Sequence, residues 1–142
     1  MRARQWATAV AALSLAGCAV RRVPAQPMRS TLTGVYTPEQ AARGEGVYAE
    51  VCRSCHSGQA HSESFKRKWN GQPLSKLFDY VSERMPGDSP GSLEHRDYTL
   101  VLAYLLRLAG MPAGPRELPG ADEALRLIRF DTVETFQGHG DQ

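Results

Sequence analysis

Five consecutive residues, Cys52-Arg53-Ser54-Cys55-His56, carry the most specific chemistry in the chain. Two thiols three positions apart in a helical turn lie on one face, where they can meet the two vinyl groups of a porphyrin. An imidazole directly after the second thiol then falls beneath the iron. The pattern C-x-x-C-H therefore predicts one covalently attached haem c, bound through Cys52 and Cys55 with His56 as an iron ligand. Other chemistries use the same residue types. A dithiol redox pair wants a surrounding βαβ pattern, which this stretch does not have. A structural zinc site wants a second separated Cys/His pair beyond His56 and His61. A plain structural disulfide between the two thiols is the remaining reading.

A haem iron has a second axial position, and a Met sulfur there raises the reduction potential. Met85 opens Met85-Pro86-Gly87-Asp88-Ser89-Pro90-Gly91, a stretch whose two prolines and two glycines make a stiff, sharply turned loop. Such a loop can hold a weak thioether ligand, so Met85 is the expected sixth ligand. Met111, in Gly110-Met111-Pro112, reads instead as a core filler. His61, His95 and His139 are rivals. His61 lies too near His56 to reach the other haem face easily, His95 falls in the first turn of a helix, and His139 is in the tail.

The third cysteine has a different setting. Arg2 and Arg4 precede an apolar and small-residue run over 6–20 that ends its core in Leu15-Ala16-Gly17-Cys18. The run is short of the roughly 20 apolar residues that span a bilayer, but it suits an export signal. Leu-Ala-Gly-Cys resembles a bacterial lipobox, so 1–17 is expected to be a lipoprotein signal peptide and Cys18 the lipidated N-terminus. An ordinary secretory signal or an uncleaved anchor are the alternatives. Each route exports the domain, to the periplasmic side of a bacterial membrane, where thioether attachment of haem takes place. Residues 18–36, with Pro24 and Pro27 and no apolar periodicity, read as a lipid-anchored flexible tether.

The elements that must position these groups read as helices. Thr37-Pro38-Glu39-Gln40 has a cap, a proline at the first helical position and a glutamine able to close a capping box. That helix should run to Val51 or Cys52, with Gly44 and Tyr48 on one face at the crossing of another helix. Gly44 and Gly46 both weaken it, so both are expected to have a packing reason. Leu74, Leu77, Phe78 and Val81 mark a second helix opened by Pro73. Tyr98, Val101, Leu102 and Leu105 mark a third, starting near Ser92 or Leu93 and stopped by Gly110 and Pro112. A short fourth helix is expected over 121–128, with no convincing strand pair. The domain is drawn at 37–130 and a loose tail at 131–142.

Composition agrees with a soluble domain on a short chain. Of 142 residues, 42% are hydrophobic and 23% charged, which excludes a wholly disordered chain. Without Arg2 and Arg4 the basic groups equal the 15 acidic ones. No basic run is long enough for a nucleic-acid footprint.

The chain resembles the class I c-type cytochromes, and is similar to small bacterial periplasmic monohaem members. Gln40-Ala41-Ala42-Arg43-Gly44, Tyr48 and the Cys52-Cys55-His56 motif match the opening of that family. Phe65, Trp69, Gly71 and Leu77-Phe78-Asp79-Tyr80 match the middle, and Met85-Pro86 through Pro90-Gly91-Ser92-Leu93 match the methionine loop. The resemblance implies an all-α, cytochrome c-like fold, with three to four helices around one covalently bound haem. It implies His56 as proximal and Met85 as distal ligand, and crossed N- and C-terminal helices. It would put the Trp69 indole N–H near a haem propionate, with a plain core role as the alternative, and Arg84 near a propionate or in solvent. One departure is Ser57, which follows His56 where the family often has glycine. Phe65 then arrives with no proline between, so the acceptor for the proximal imidazole N–H is not identified.

The expected function is electron transfer by a carrier that is not itself an enzyme. Its partners would be redox proteins, such as a periplasmic dehydrogenase, an oxidase or another cytochrome, and the membrane through the lipid anchor. No nucleic acid and no small-molecule substrate is expected. Lys66, Arg67 and Lys68 could form a positive rim for an acidic partner or simply a solvated face. The alternative is a haem enzyme or sensor with an open or labile sixth position, peroxidase-like or gas-binding, with His95 as its acid–base candidate.

Overall fold

The computed structural model describes residues 27–56 and 63–133. The expected signal peptide, Cys18, His61, the Ser57 loop and His139 lie outside the described residues. Within them run β1 (Arg29–Ser30), a 3-10 turn (Thr31–Thr33), α1 (Pro38–Val51), α2 (Glu63–Trp69), α3 (Leu74–Arg84), α4 (His95–Leu108), α5 (Asp122–Arg126) and β2 (Ile128–Arg129). The fold is all-α apart from that one pair of two-residue strands. No helix among the described residues is long and apolar enough to cross a membrane.

α4 is the central element. Every residue from Tyr98 to Leu106 is buried, so the helix is covered on all sides rather than on one stripe. Tyr98, Leu102, Ala103 and Leu106 pack with Leu74, Leu77 and Phe78 of α3, and with Leu125, Ile128 and Phe130. Val101, Tyr104 and Leu105 face the other way, onto Tyr48 of α1.

α1 crosses α4 at Gly44, where an added Cβ would sit 1.9 Å from the Leu100 carbonyl oxygen. Only a residue without a side chain permits that approach. Gly46 differs from expectation: nothing lies within 4 Å of where its Cβ would be, so packing does not explain it. The capping of α1 is also half of what the sequence suggests. Thr37 Oγ1 accepts from the Gln40 amide at 3.1 Å. The Gln40 side chain does not reach back. It is buried and grips the backbone of Leu118, donating to its carbonyl at 3.0 Å and accepting from its amide at 2.7 Å. A second neighbour in space outbids the local capping bond.

The structure adds to the sequence reading in three places. The described residues hold five helices, Glu63–Trp69 being one the sequence did not suggest; its seven residues are too few for an apolar period to stand out. The tether does not extend to residue 36. β1 pairs in parallel with β2, Arg29 with Ile128 and Ser30 with Arg129, which is also the strand pair the sequence did not suggest. Thr31 is fully buried, its hydroxyl donating to the Asp131 carbonyl at 3.1 Å and accepting from the Asp131 amide at 2.9 Å. Val35 and Tyr36 are core residues. The tail likewise does not begin at 131, since Asp131 is buried and Thr132 donates its amide to Asn70 Oδ1 at 3.1 Å.

β2 also fixes the link between α2 and α3. Gly71 donates its amide to the Phe130 carbonyl at 2.7 Å, and Phe130 returns a bond to Gln72 at 2.8 Å. This anchors the C-terminal end of α2, and with it Trp69.

Candidate functional site

The C-x-x-C-H segment is a turn that continues α1. The amides of Cys52 and Arg53 both donate to the Tyr48 carbonyl at 2.9 Å, and the His56 amide donates to the Cys52 carbonyl at 2.9 Å. Cys52 and Cys55 are free thiols, the first half-buried and the second exposed. Burial pushes the Cys52 thiol above its ordinary value. The turn is locked from behind by Tyr48, whose hydroxyl donates to the His56 carbonyl oxygen at 2.7 Å. The Tyr48 ring packs on Tyr104 of α4 with centroids 5.1 Å apart. Burial raises the Tyr48 phenol, Cys52 and Tyr104 beside it act in the same direction, and Arg53 opposes them.

Met85 follows the last turn of α3, its amide still donating to the Val81 carbonyl at 3.0 Å. Tyr98 of α4 holds the loop that begins there. Its hydroxyl donates to the Met85 carbonyl at 2.7 Å and accepts from the Leu93 amide at 3.3 Å. One phenol thus ties both ends of the loop to the central helix. Ser89 and Gly91 donate inward to the carbonyls of Pro86 and Met85. Gly91 takes a positive φ of 75° that closes the turn.

Trp69 is buried at the end of α2, edge-on to Tyr80 with centroids 5.4 Å apart. The Lys68 ammonium lies 3.9 Å from the Tyr80 ring centroid and 4.9 Å from that of Trp69. The Arg84 guanidinium lies 5.4 Å from the Tyr80 centroid.

These pieces meet around one cavity of about 710 Å³. Cys52, Cys55, His56, Met85 and Trp69 all line it, with Tyr48, Lys68, Tyr80 and apolar side chains of α1, α3 and α4. All five residues expected at a haem site within the described span are therefore brought together, from three separate segments: the C-x-x-C-H turn, the end of α2 and the loop after α3. The volume lies in the range of roughly 300–1,000 Å³ typical of cofactor clefts. Two thiols, an imidazole and a thioether lining one largely apolar chamber form a donor set that fits a covalent haem. It fits zinc poorly, and among the described residues no group of three or more His, Cys, Asp or Glu gathers as a metal site.

The rival residues within the described span, Met111 and His95, lie elsewhere. Met111 is buried in the main core. His95 opens α4, two or three residues later than the sequence suggests, with its Nε2 bonded to the Gly120 carbonyl and its ring 4.6 Å from that of Phe78. It lines a separate cavity of about 270 Å³ beside Gln40, Arg43 and Glu117. Of the basic run in α2, Lys66 pairs with Glu63 at 3.0 Å and Lys68 turns into the large cavity.

Sequence reading missed two functional positions. Tyr98 reads as one more buried stripe residue, and only its hydroxyl on an otherwise apolar face hinted at a second task. Lys68 reads as part of a charged rim, and nothing local signals that two rings would hold it against the cavity.

Residues 39–105 match the family described as cytochrome C oxidase, cbb3-type, subunit III. The matched span runs from the first turn of α1 into α4, and so includes the C-x-x-C-H turn and the Met85 loop. No curated protein and no solved structure matches the chain.

Proposed function

We propose that the chain, whose residues 39–105 match a c-type cytochrome family, is a monohaem carrier passing single electrons from a dehydrogenase to a respiratory acceptor outside the cytoplasm. The observation that carries this reading is the convergence of Cys52, Cys55, His56 and Met85 on one cavity. Cys52 and Cys55 would attach the haem through their sulfurs, and His56 and Met85 would hold its iron. A haem held there supplies reversible one-electron exchange at its iron.

The chain's own part is to hold these side chains still and keep water out. Tyr48 holds the carbonyl of His56 and Tyr98 that of Met85, so both ligand-bearing segments are tied to the α1–α4 pair. Val101 and Leu105 give the chamber an apolar wall. Ligand segments anchored to rigid helices move little when the charge at the centre changes, which keeps reorganisation small. With its iron held by both His56 and Met85, such a haem would offer no site for a substrate, which suits a carrier rather than an enzyme. Export by a signal at 1–17 and lipidation at Cys18 belong to the same proposal. They put the domain where thioethers are formed and where redox proteins can meet it.

The test is the visible spectrum of the oxidised, matured protein with and without Met85→Ala, beside a pyridine haemochrome assay. The proposal expects one covalent haem and a weak far-red sulfur-to-iron band that the variant loses. A wild type without that band, binding carbon monoxide tightly when reduced, would instead be a haem enzyme or sensor. Mass spectrometry of the mature N-terminus tests the anchor: an unmodified residue other than Cys18 would sink it.

A further inference from the structure

Lys68 and Asp88 are the lysine and the aspartate among the residues lining the large cavity. Lys68 is an exposed residue, yet its ammonium is held over two rings, 3.9 Å from the Tyr80 centroid and 4.9 Å from that of Trp69. Aromatic faces attract a cation and restrict where it sits. Arg84 lies against the same Tyr80 ring at 5.4 Å. Among the described residues the ion pairs are Arg43–Glu117, Lys66–Glu63, Arg107–Glu45 and Arg129–Asp131, so neither Lys68 nor Arg84 has a carboxylate partner. Two cations placed around one ring without an anion repel each other, and the arrangement is relieved when a negative group enters between them or beside them.

We propose that Lys68, positioned by Trp69 and Tyr80, is a carboxylate seat at the solvent edge of the cavity that receives a propionate of the bound haem. The inference rests on the haem reading above. A haem carries two carboxylates, and burying them beside an apolar chamber is costly unless a cation or hydrogen-bond donors meet them. Asp88 repels a carboxylate and Lys68 attracts one, so the two charged side chains on the wall favour the same orientation of the group. The ammonium has three N–H donors, and one directed at the ring face leaves others for a carboxylate oxygen. Lys68 is thus a positioning residue, which orients the cofactor and sets the charge around the iron without touching it. A cation there disfavours the additional positive charge of the oxidised state, so it raises the reduction potential.

The experiment compares holoprotein of wild type, Lys68→Gln, Lys68→Met and Lys68→Arg, with Arg67→Gln as a nearby surface-charge control. Haem content comes from the pyridine haemochrome assay, the reduction equilibrium from redox titration, and the state of the propionates from their bending band in resonance Raman spectra. Lys68→Gln and Lys68→Met are expected to lower the equilibrium constant for reduction about 3- to 10-fold and to move the propionate band, a tenfold change being ~59 mV for a one-electron couple. Lys68→Arg should stay near wild type, and Arg67→Gln should leave the band in place. Lys68→Met keeps an unbranched side chain over the rings, so it separates loss of charge from loss of packing. Failure of both neutral variants to load haem while Lys68→Arg loads it would also support the seat. The inference is overturned if Lys68→Gln and Lys68→Met load haem with the band unmoved, or if their shift is no larger than that of Arg67→Gln. Covalent haem missing from the wild type would overturn the functional reading itself, and this inference with it.

Discussion

The Tyr48 hydroxyl donates to the carbonyl oxygen of His56 at 2.7 Å, eight residues further along a stretch of chain that contains both cysteines. Because the same ring packs on Tyr104, one residue takes part in both the packing of α1 on α4 and the closure of the C-x-x-C-H turn. Tyr48→Phe keeps the ring and removes the hydrogen bond. It should cost about 1 kcal/mol of stability in denaturant unfolding of the holoprotein, the usual net worth of such a bond. An unchanged unfolding midpoint would mean that the turn is held without it.

The helix crossing itself makes a paired prediction. A methyl at Gly44 would lie 1.9 Å from the Leu100 carbonyl oxygen, whereas nothing lies within 4 Å at Gly46. Gly44→Ala forces the helices apart and should destabilise by about 1–3 kcal/mol, or more if α4 cannot shift. Gly46→Ala, in the same helix, should stabilise by about 0.5–1 kcal/mol through helix propensity alone. Thermal unfolding of the two variants should move in opposite directions, and equal shifts would contradict the crossing.

Tyr98 clasps both ends of the loop that begins at Met85. Tyr98→Phe removes the donor to the Met85 carbonyl and the acceptor for the Leu93 amide. Haem attachment should persist, since Cys52 and Cys55 are untouched. With Met85 as the proposed ligand, added imidazole should then displace it more readily, by about fivefold in affinity for a loss near 1 kcal/mol in the loop. Unchanged imidazole affinity would show that the loop is stiff without this anchor.

Alkaline stability has a sign set by a buried phenol. The Tyr36 hydroxyl donates to the Met111 carbonyl at 2.6 Å. Burial raises its pKa above the ordinary value of 10.0, with Arg107 pulling it partly back. Above the ordinary value the unfolded chain releases this proton while the native state keeps it, so stability falls as pH rises through that interval. Below it the contribution is fully present. Tyr36→Phe should flatten part of that alkaline decline in denaturant titrations. Tyr48, also raised, leaves a residual slope. An identical decline in wild type and variant would exclude Tyr36 as a cause.

His95 separates the carrier from its enzymatic alternative. It is bonded to Gly120 and stacked near Phe78, in a different cavity from the one lined by His56 and Met85. His95→Ala should leave the far-red band and the reduction potential of the matured protein as in wild type. A change in either would bring His95 back as an acid–base or ligand candidate.

The division between sequence and structure follows the range of the forces involved. C-x-x-C-H is local chemistry, so its five residues can be read without knowing where the chain goes next. The stiff loop after Met85, the cap and proline that open α1, and the apolar periods of α3 and α4 are local in the same sense. The lone Gly44 could be read as a crossing because close approach leaves no other use for a missing side chain on that face. Gly46 looked identical in sequence and is not, since only the partner helix tells the two apart.

What tertiary structure alone decided depends on residues far apart in the chain. Residues 29–36 look like linker because their partners, Ile128, Arg129 and Asp131, are about a hundred positions away. Gln40 looks like half of a capping box until Leu118 offers it two buried backbone bonds. Tyr98 becomes the clasp of the Met85 loop, and Lys68 becomes part of a cavity wall, only once α2, α3 and α4 are packed. Residue types and spacing by themselves determined which groups carry the chemistry, because bond-forming capacity belongs to the side chain. Where those groups are held, and what holds them, was decided by packing, since burial and hydrogen bonding reward whichever partner the fold brings near, however distant in sequence.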